Sequence, residues 1–265
     1  MPILKTKAEL ELLEAANQLV HLVLDEVGAS VRPGVSTAEL DRLAETIIRD
    51  HQATPAFLGY HGYPATLCTS VNDVVVHGIP SDSTILSEGD IIGVDCGAFL
   101  HGYCGDSART FAVGEISEEA VRLLECTRRA LEAAVVAAQP GAHLSDVGHA
   151  VQTLVEAEGF SVVRDFVGHG IGTSMHEDPQ VPNYGPAGRG LLMEPGLVLA
   201  IEPMVNTGRP KIKVDGDGWT ARTRDGGLSA HFEYSVAVTV EGPRILGAGA
   251  ENLIRSDLSV AAVAS

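Results

Sequence analysis

The sequence predicts an α+β protein in which two pseudo-symmetric halves pack helices around one curved, mostly antiparallel central sheet. Three observations predict it. A helix, a Pro-Gly and a second helix occur twice: residues 6–29 lead into RPGVSTAELDRLAETIIRD, and residues 117–138 into QPGAHLSDVGHAVQTLVEA. Four segments, DIIGVDCGA, GYCGDSARTFAVG, GLVLAIEPMV and HFEYSVAVTV, are β-branched, apolar and bounded by glycine or proline, as buried strands are. The first two flank a turn, which makes them an antiparallel hairpin. The expected organisation is one domain over 1–265, with halves at about 1–115 and 116–250.

Each element has a local reason. Pro33-Gly34 and Pro140-Gly141 end the first helices, and Ser36-Thr37-Ala38-Glu39 and Ser145-Asp146 cap the second ones. His77-Gly78-Ile79 and His169-Gly170-Ile171 extend the correspondence between the halves. Two acids follow in each half, Asp95 and Asp106 in the first, Glu202 and Glu233 in the second. With the hairpin turn centred on Leu100 and His101, Asp95 and Asp106 are expected directly opposite each other on one face. Facing carboxylates repel and are costly to bury ionised. A divalent cation reverses the sign of that interaction. Alternation is expected to point Cys96 and Cys104 away from the acids, as buried small residues like Cys126.

Bulk properties narrow the function. A chain of 265 residues with 45 % hydrophobic and 20 % charged residues has the size and composition of a cored globular protein. Its net charge of -17 argues against nucleic acid or an anionic membrane as a partner. Four cysteines without a CxxC pair argue against a disulfide-stapled secreted domain. The start lacks a signal peptide's apolar stretch, and no apolar run approaches the ~20 residues of a membrane helix. A cytoplasmic protein is expected.

Asp95, Asp106, His169, Glu202 and Glu233 form a hard, oxygen-rich donor set with one imidazole, suited to Mn, Fe, Co or Zn as divalent ions. Four acids exceed what one catalytic ion with an open position needs. Two ions bridged by carboxylates and a water use all five ligands, and that chemistry is metal-assisted hydrolysis. His77 and His176 are expected nearby, orienting a substrate amide or stabilising an oxyanion. The glycine-rich GHGIGTSMHEDP lacks the spacing of a phosphate loop. His21, His51, His143 and His149 have no supporting context and read as ordinary solvated or hydrogen-bonded residues. Trp219, between turn clusters, reads either as a loop pin or as a pocket wall.

At these residues the sequence resembles the type I methionine aminopeptidases, metallopeptidases of the pita-bread fold. The resemblance runs nearly end to end through PGVSTAELD, FLGYHGYP, SVNDVVVHGIP, GDIIGVDCG, GDSARTF, GHGIG, MHEDPQVPN, AIEPMV, DGW and AHFEYSVAV. It implies a dinuclear centre bridged by Asp106 and Glu233, with Asp95 completing one ion and His169 with Glu202 the other. It implies His77 at the scissile amide, His176 at its carbonyl and Glu202 as proton shuttle. Phe57, Tyr60, Tyr63, Cys68, Met175 and Trp219 would line the methionine pocket, where sulfur–aromatic contacts add to burial. Asn72, Val74 and Ser229 would hold a monovalent cation, Na or K. Phe57, Met175, Tyr234 and Cys104 stand where many relatives have Cys, Phe, His and His, which bears on pocket shape and inhibitor preference.

The implied activity is hydrolytic removal of an initiator methionine before a small second residue, with nascent chains on the ribosome as partner. A bacterial-style single catalytic domain and a monomer are implied. Met1-Pro2 makes the chain's own N-terminus an expected substrate. The alternatives are an Xaa-Pro dipeptidase or aminopeptidase P within the same fold, and a non-catalytic binding protein built on it.

Overall fold

A computed structural model gives the fold and describes residues 2–248; Met1 lies outside it, as does the very end of the expected second half. The first half comprises α1 (Lys7–Ser30), α2 (Thr37–Asp50), β1 (Thr54–Pro55), a 3-10 turn (Tyr60–Gly62), β2 (Leu67–Val71), β3 (Val74–Val76), β4 (Ile91–Leu100) and β5 (Tyr103–Ala112). The second comprises α3 (Glu118–Ala137), α4 (Leu144–Ala157), β6 (Ser161–Val162), β7 (Gly168–Gly170), β8 (Glu177–Val181) and β9 (Val198–Ile201). It continues through β10 (Met204–Asn206), β11 (Ile212–Val214), β12 (Ala221–Thr223), β13 (Ser229–His231), β14 (Glu233–Thr239) and β15 (Gly242–Ile245).

Capping boxes start α1 at Thr6 with Glu9 and α2 at Ser36 with Glu39. The α4 cap differs from expectation. His143 is the N-cap, its N–H donating to the Asp146 carboxylate at 2.9 Å, while the Ser145 hydroxyl accepts from Arg189 N–H instead.

The main sheet runs β1-β4-β5-β14-β9-β7-β8, with β2 also on β4 and β15 also on β14, and every pairing is antiparallel. The halves join where β5 pairs with β14, Ala108 opposite Glu233 and Ser107 opposite Tyr234. The hydroxyls of Ser107 and Ser235 cross this seam, donating to Glu233 O (2.6 Å) and Asp106 O (3.0 Å).

The duplication is visible in the backbone. Gly34 N–H donates to Leu86 O and Leu86 N–H to Val35 O; Gly141 N–H donates to Met193 O and Met193 N–H to Ala142 O. Gly89 and Gly196, both at positive φ, donate to Val113 and Val238. Apart from the two acceptors Val113 and Val238, each second-half residue here follows its counterpart by 107 positions (141 less 34, 193 less 86, 196 less 89). By the same offset Asp95, within β4, corresponds to Glu202, which directly follows β9.

Two expectations about this architecture are corrected. The His-Gly-Ile repeat is not part of the symmetry. His169 lies in β7 opposite Ala200, and the equivalent position, opposite Gly93, is held by Ser70. His77 instead follows β3, which pairs with β12 in a separate small sheet. The β4–β5 turn is His101-Gly102, one residue later than expected. Both have positive φ (52° and 84°), as a two-residue hairpin turn of the I′ type requires. Asp95 therefore faces Ala108 and Asp106 faces Gly97, so the two acids are diagonal neighbours on one face rather than directly opposed.

Alternation then sorts the sheet into two faces. Ile92, Val94, Cys96 and Ala98 of β4 pack with Val20, Leu24, Leu40 and Ile48 of α1 and α2, each large side chain contributing about 1.5–3 kcal/mol of burial. Leu199, Ile201 and Val236 do the same against Leu123, Leu131 and Val151 of α3 and α4. The helices thus cover one face of the sheet, and the acids occupy the other. Cys96 points to the helices as expected. Cys104 does not: two residues before Asp106, it shares that residue's parity and packs in the cluster of Phe57, Tyr63 and Met175.

Candidate active site

Asp106 reaches its position through a close approach. A Cβ at Gly105 would fall 2.6 Å from the Ala16 backbone, so glycine there lets β5 lie tight on α1. Asn17 of α1, fully buried, accepts from Asp106 N–H at 3.3 Å. Gly97, opposite Asp106, makes the matching space on the pocket side: a Cβ would meet the Phe57 ring at 2.7 Å. Cys68 stands opposite Asp95 on β2. In the second half, Asn183 donates to Glu202 O at 3.0 Å, fixing the backbone just after β9.

His169 Nδ1 lies 2.9 Å from Gly170 O, which assigns the proton to Nδ1 and leaves Nε2 as an acceptor. Nε2 is 3.7 Å from Glu202 Oε1 and 4.0 Å from Asp106 Oδ2. One candidate donor atom from each of Asp106, His169 and Glu233 lies within 4.8 Å of the others. Asp95 and Glu202 flank this trio in the same pocket.

The electrostatics are those of a buried anionic cluster. Burial pushes Asp95 up to about 7. Burial, then neighbouring carboxylates (chiefly Asp95 and Glu202 for Asp106, Asp95 for Glu202 and Asp106 for Glu233), hold these three well above the usual range. Asp95 Oδ1, Asp106 Oδ1 and Glu233 Oε1 are buried with no hydrogen-bond partner. Buried acceptors are ordinarily satisfied. Three orphaned carboxylate oxygens converging beside an acceptor imidazole are the donor set of a divalent-metal site, so the residues fit the ions expected from sequence. Burial lowers His169 to about 4, which keeps it neutral as a ligand must be.

The remaining wall is built from short strands and turns. Gly59, at φ 85°, starts the 3-10 turn that presents Tyr60, whose hydroxyl lies 2.7 Å from His176 Nδ1. The His176 and His169 rings meet edge-on at 4.3 Å. His77, at φ 60°, sits with its ring edge-on to Phe166, and burial takes it down to about 4. Gly78 beside it has no space for a side chain, since a Cβ would fall 2.1 Å from Thr69 O. Trp219, its N–H donating to Asp217, packs edge-on against Tyr63 at 5.1 Å; it walls the pocket. Phe57, Tyr60, Tyr63, Cys68, His77, Met175, His176 and Trp219 line one cavity together with the four acids and the His169 imidazole. His21, His51, His143 and His149 lie outside it.

The chemistry and the order of motifs now meet the comparison with known proteins. The profile of metallopeptidase family M24 matches residues 11–240. The chain belongs to this family. Among M24 metallopeptidases it is 52 % identical to the methionine aminopeptidase of Clostridium acetobutylicum over 246 residues, covering 93 % of this chain and 98 % of that one. The crystal structure of methionine aminopeptidase from Rickettsia prowazekii superposes with a TM-score of 0.92 at 40 % identity, covering 93 % and 100 % of the two chains. A more distant likeness, the Xaa-Pro dipeptidase of Bacillus anthracis, has a TM-score of 0.75 at 23 % identity and is covered over 62 % of its length, so it speaks to the fold alone. The fold is thus the pita-bread fold of M24 methionine aminopeptidases, and the chain is a metallo-aminopeptidase.

Sequence reasoning missed two parts of this M24 site. Asn17 sits mid-helix with no motif around it. His231 is 3 % exposed, with Nε2 3.7 Å from Glu202 Oε2 and no hydrogen-bond partner. Its signal was available: it stands two residues before Glu233, where strand alternation returns to the same side. The three residues expected at a monovalent cation are close in the backbone. Asn72 O accepts from Ser229 N–H at 2.9 Å, and Val74 follows two residues on in β3. No helix among the described residues is long and apolar enough to cross a membrane.

Proposed function

We propose that this protein removes the initiator methionine from new polypeptides whose second residue is small. One observation supports the reading above others: an anionic, metal-suited cluster and an apolar aromatic wall share one cavity. Asp95, Asp106, His169, Glu202 and Glu233 are the residues that would hold the divalent ions (two of Co, Mn, Fe or Zn). When bound, such ions would supply Lewis acidity at the carbonyl and make water a nucleophile near neutral pH.

The chain's own residues do the rest. Phe57, Tyr60, Tyr63, Cys68, Met175 and Trp219 receive the thioether side chain in a space where sulfur meets aromatic edges. Burial keeps Cys68 protonated, so it acts there as a small apolar wall rather than a nucleophile. His77, neutral, hydrogen-bonds the scissile amide, and His176, tethered by Tyr60, faces the carbonyl. Glu202 moves the proton from water toward the departing amine at its own carboxylate. Asn72, Val74 and Ser229 bind Na or K through backbone oxygens, steadying the strand junction behind the pocket. Residues 1–265 work as a single catalytic domain and a monomer in the cytoplasm, taking nascent chains at the ribosome.

The test is hydrolysis of Met-Ala-Ser, Met-Leu-Ser and Ala-Pro-Ala by stripped protein reloaded with Mn(II), Co(II), Fe(II) or Zn(II). Metal-dependent release of Met from the first peptide alone is expected; cleavage of Ala-Pro-Ala would move the assignment to an Xaa-Pro hydrolase. The raised carboxylate pKa values give a second readout. A cation must displace the protons that burial holds on these carboxylates, Asp95 up to about pH 7, so calorimetry in buffers of different ionisation enthalpy should show proton release. Affinity should weaken as pH falls below 7; pH-independent Mn(II) binding would count against this donor set.

A further inference from the structure

We propose that the buried Lys5–Glu177 ion pair is a positioning device for the loop bearing Met175 and His176, so that the segment before α1 sets the pocket's geometry from outside it. Lys5 Nζ lies 2.5 Å from Glu177 Oε2, and the two side chains are only 2 % and 8 % exposed. Glu177 directly follows His176 and opens β8. The ammonium sits against the loop backbone at Gly172, where a Cβ would fall 2.5 Å from Lys5 Cε and Nζ and 2.4 Å from Glu177 Oε1. Glycine at 172 is what lets the loop close over the pair.

Besides the Tyr60 hydroxyl at His176 and the burial of Met175, the loop is held by hydrogen bonds of its backbone. Gly172 N–H donates to Ser174 O at 3.1 Å, Gly172 O accepts from Cys104 N–H at 2.8 Å, and Ser174 N–H reaches Glu177 Oε1 at 3.4 Å. Lys5 is firmly placed. Its N–H donates to Gly196 O at 2.6 Å in the turn before β9. The next residue, Thr6, caps α1 with Glu9, which also accepts from Tyr103 OH at 3.0 Å on β5. Position is therefore transmitted from α1, β5 and the β9 turn, through Lys5 and Glu177, to His176.

A buried ion pair adds little net stability over an apolar pair of the same shape, but it accepts few geometries. That suits a positioning role for a histidine already tethered to Tyr60. A displacement of about 1 Å at such a group costs on the order of 100-fold in rate. Lys5 itself lines no part of the cavity, so it acts through His176 and not on substrate.

The inference rests on the aminopeptidase reading, and its test separates the two. Full-length Lys5→Met and Glu177→Gln are loaded with Mn(II) and compared with wild type on Met-Ala-Ser, with amide hydrogen exchange followed over residues 172–177. Lys5→Met should lose about 10- to 100-fold in kcat with KM changing far less. Mn(II) stoichiometry should be unchanged, and exchange across the loop faster. Glu177→Gln still accepts from Lys5, so it should show a smaller loss in the same direction; it carries the test if Lys5→Met fails to fold. Lys5→Arg should restore most of kcat. Wild-type kcat and exchange in a folded Lys5→Met or Glu177→Gln would overturn the proposal. An inactive wild type would instead sink the aminopeptidase reading, leaving the exchange result to judge the pair.

Discussion

The two halves share a backbone plan and differ in how they fill it. In the first, β4 and β5 are consecutive strands joined by the two-residue turn His101-Gly102, and they carry two aspartates on one face. In the second, β9 and β14 pair equivalently but are separated by the β10–β13 excursion, and they carry or adjoin glutamates. The imidazole breaks the correspondence further, since His169 occupies the place where the first half has Ser70. Matching Pro-Gly turns and strand starts bring two sheet faces together into a cavity. Unmatched side chains then make the cavity chemically one-sided: the imidazoles lying within 4.0 Å of the acids among the described residues, His169 and His231, both come from the second half.

The comparison can be broken at its seam. Asp106→Asn removes a proposed anionic ligand from the junction of β5 and β14. Several kcal/mol of metal-derived stabilisation, at 1.36 kcal/mol per tenfold, should lower kcat/KM about a thousandfold, with Mn(II) binding weakened in calorimetry. Near-normal turnover would remove Asp106 from the centre. A sharper contrast sets the two equivalent positions against each other. His169→Ala should cost on the order of a hundredfold or more in kcat/KM through loss of the proposed ligand, whereas Ser70→Ala, at the matching site, should cost less than about threefold. Equal losses would mean that the halves contribute alike. The smallest effect concerns the shared scaffold: Ser36→Ala deletes the α2 capping side chain and should cost about 1 kcal/mol. Differential scanning calorimetry should then show a fall of about 2–4 °C in Tm, with kcat untouched.

Much of this was readable in the chain because the signals were local. Capping boxes, Pro-Gly turns and alternating apolar strands depend on neighbours in sequence, and they gave the element order and the helix-facing side of β4. All five proposed ligands and the eight lining residues converge as the motif order implied. What failed had a non-local cause or a competing local one. The hairpin register turned on which two residues adopt positive φ, and Gly102 favours the later pair over Leu100-His101. Cys104 was assigned by its neighbour in sequence when its parity with Asp106 decides its face. The His-Gly-Ile repeat matched as letters, but His77 and His169 are placed by different sheets. His231 and Asn17 matter through contacts with residues 29 and 89 positions away, and no short motif announces them.

The seam has a consequence for the order in which a working enzyme comes into being. Ser107 and Ser235 stitch together residues 126 and 129 positions apart, and each fastens the backbone of the opposite half's acid. During synthesis the hairpin holding Asp95 and Asp106 is finished long before Glu233 leaves the ribosome. Until then β5, which carries Asp106, is the open edge of the sheet, while Asp95 already lies between β2 and β5. The last long strand to be made both closes the sheet and dehydrates the acids. The proposed centre is therefore completed in a single late step, and a chain interrupted anywhere before Glu233 lacks one of its five proposed ligands.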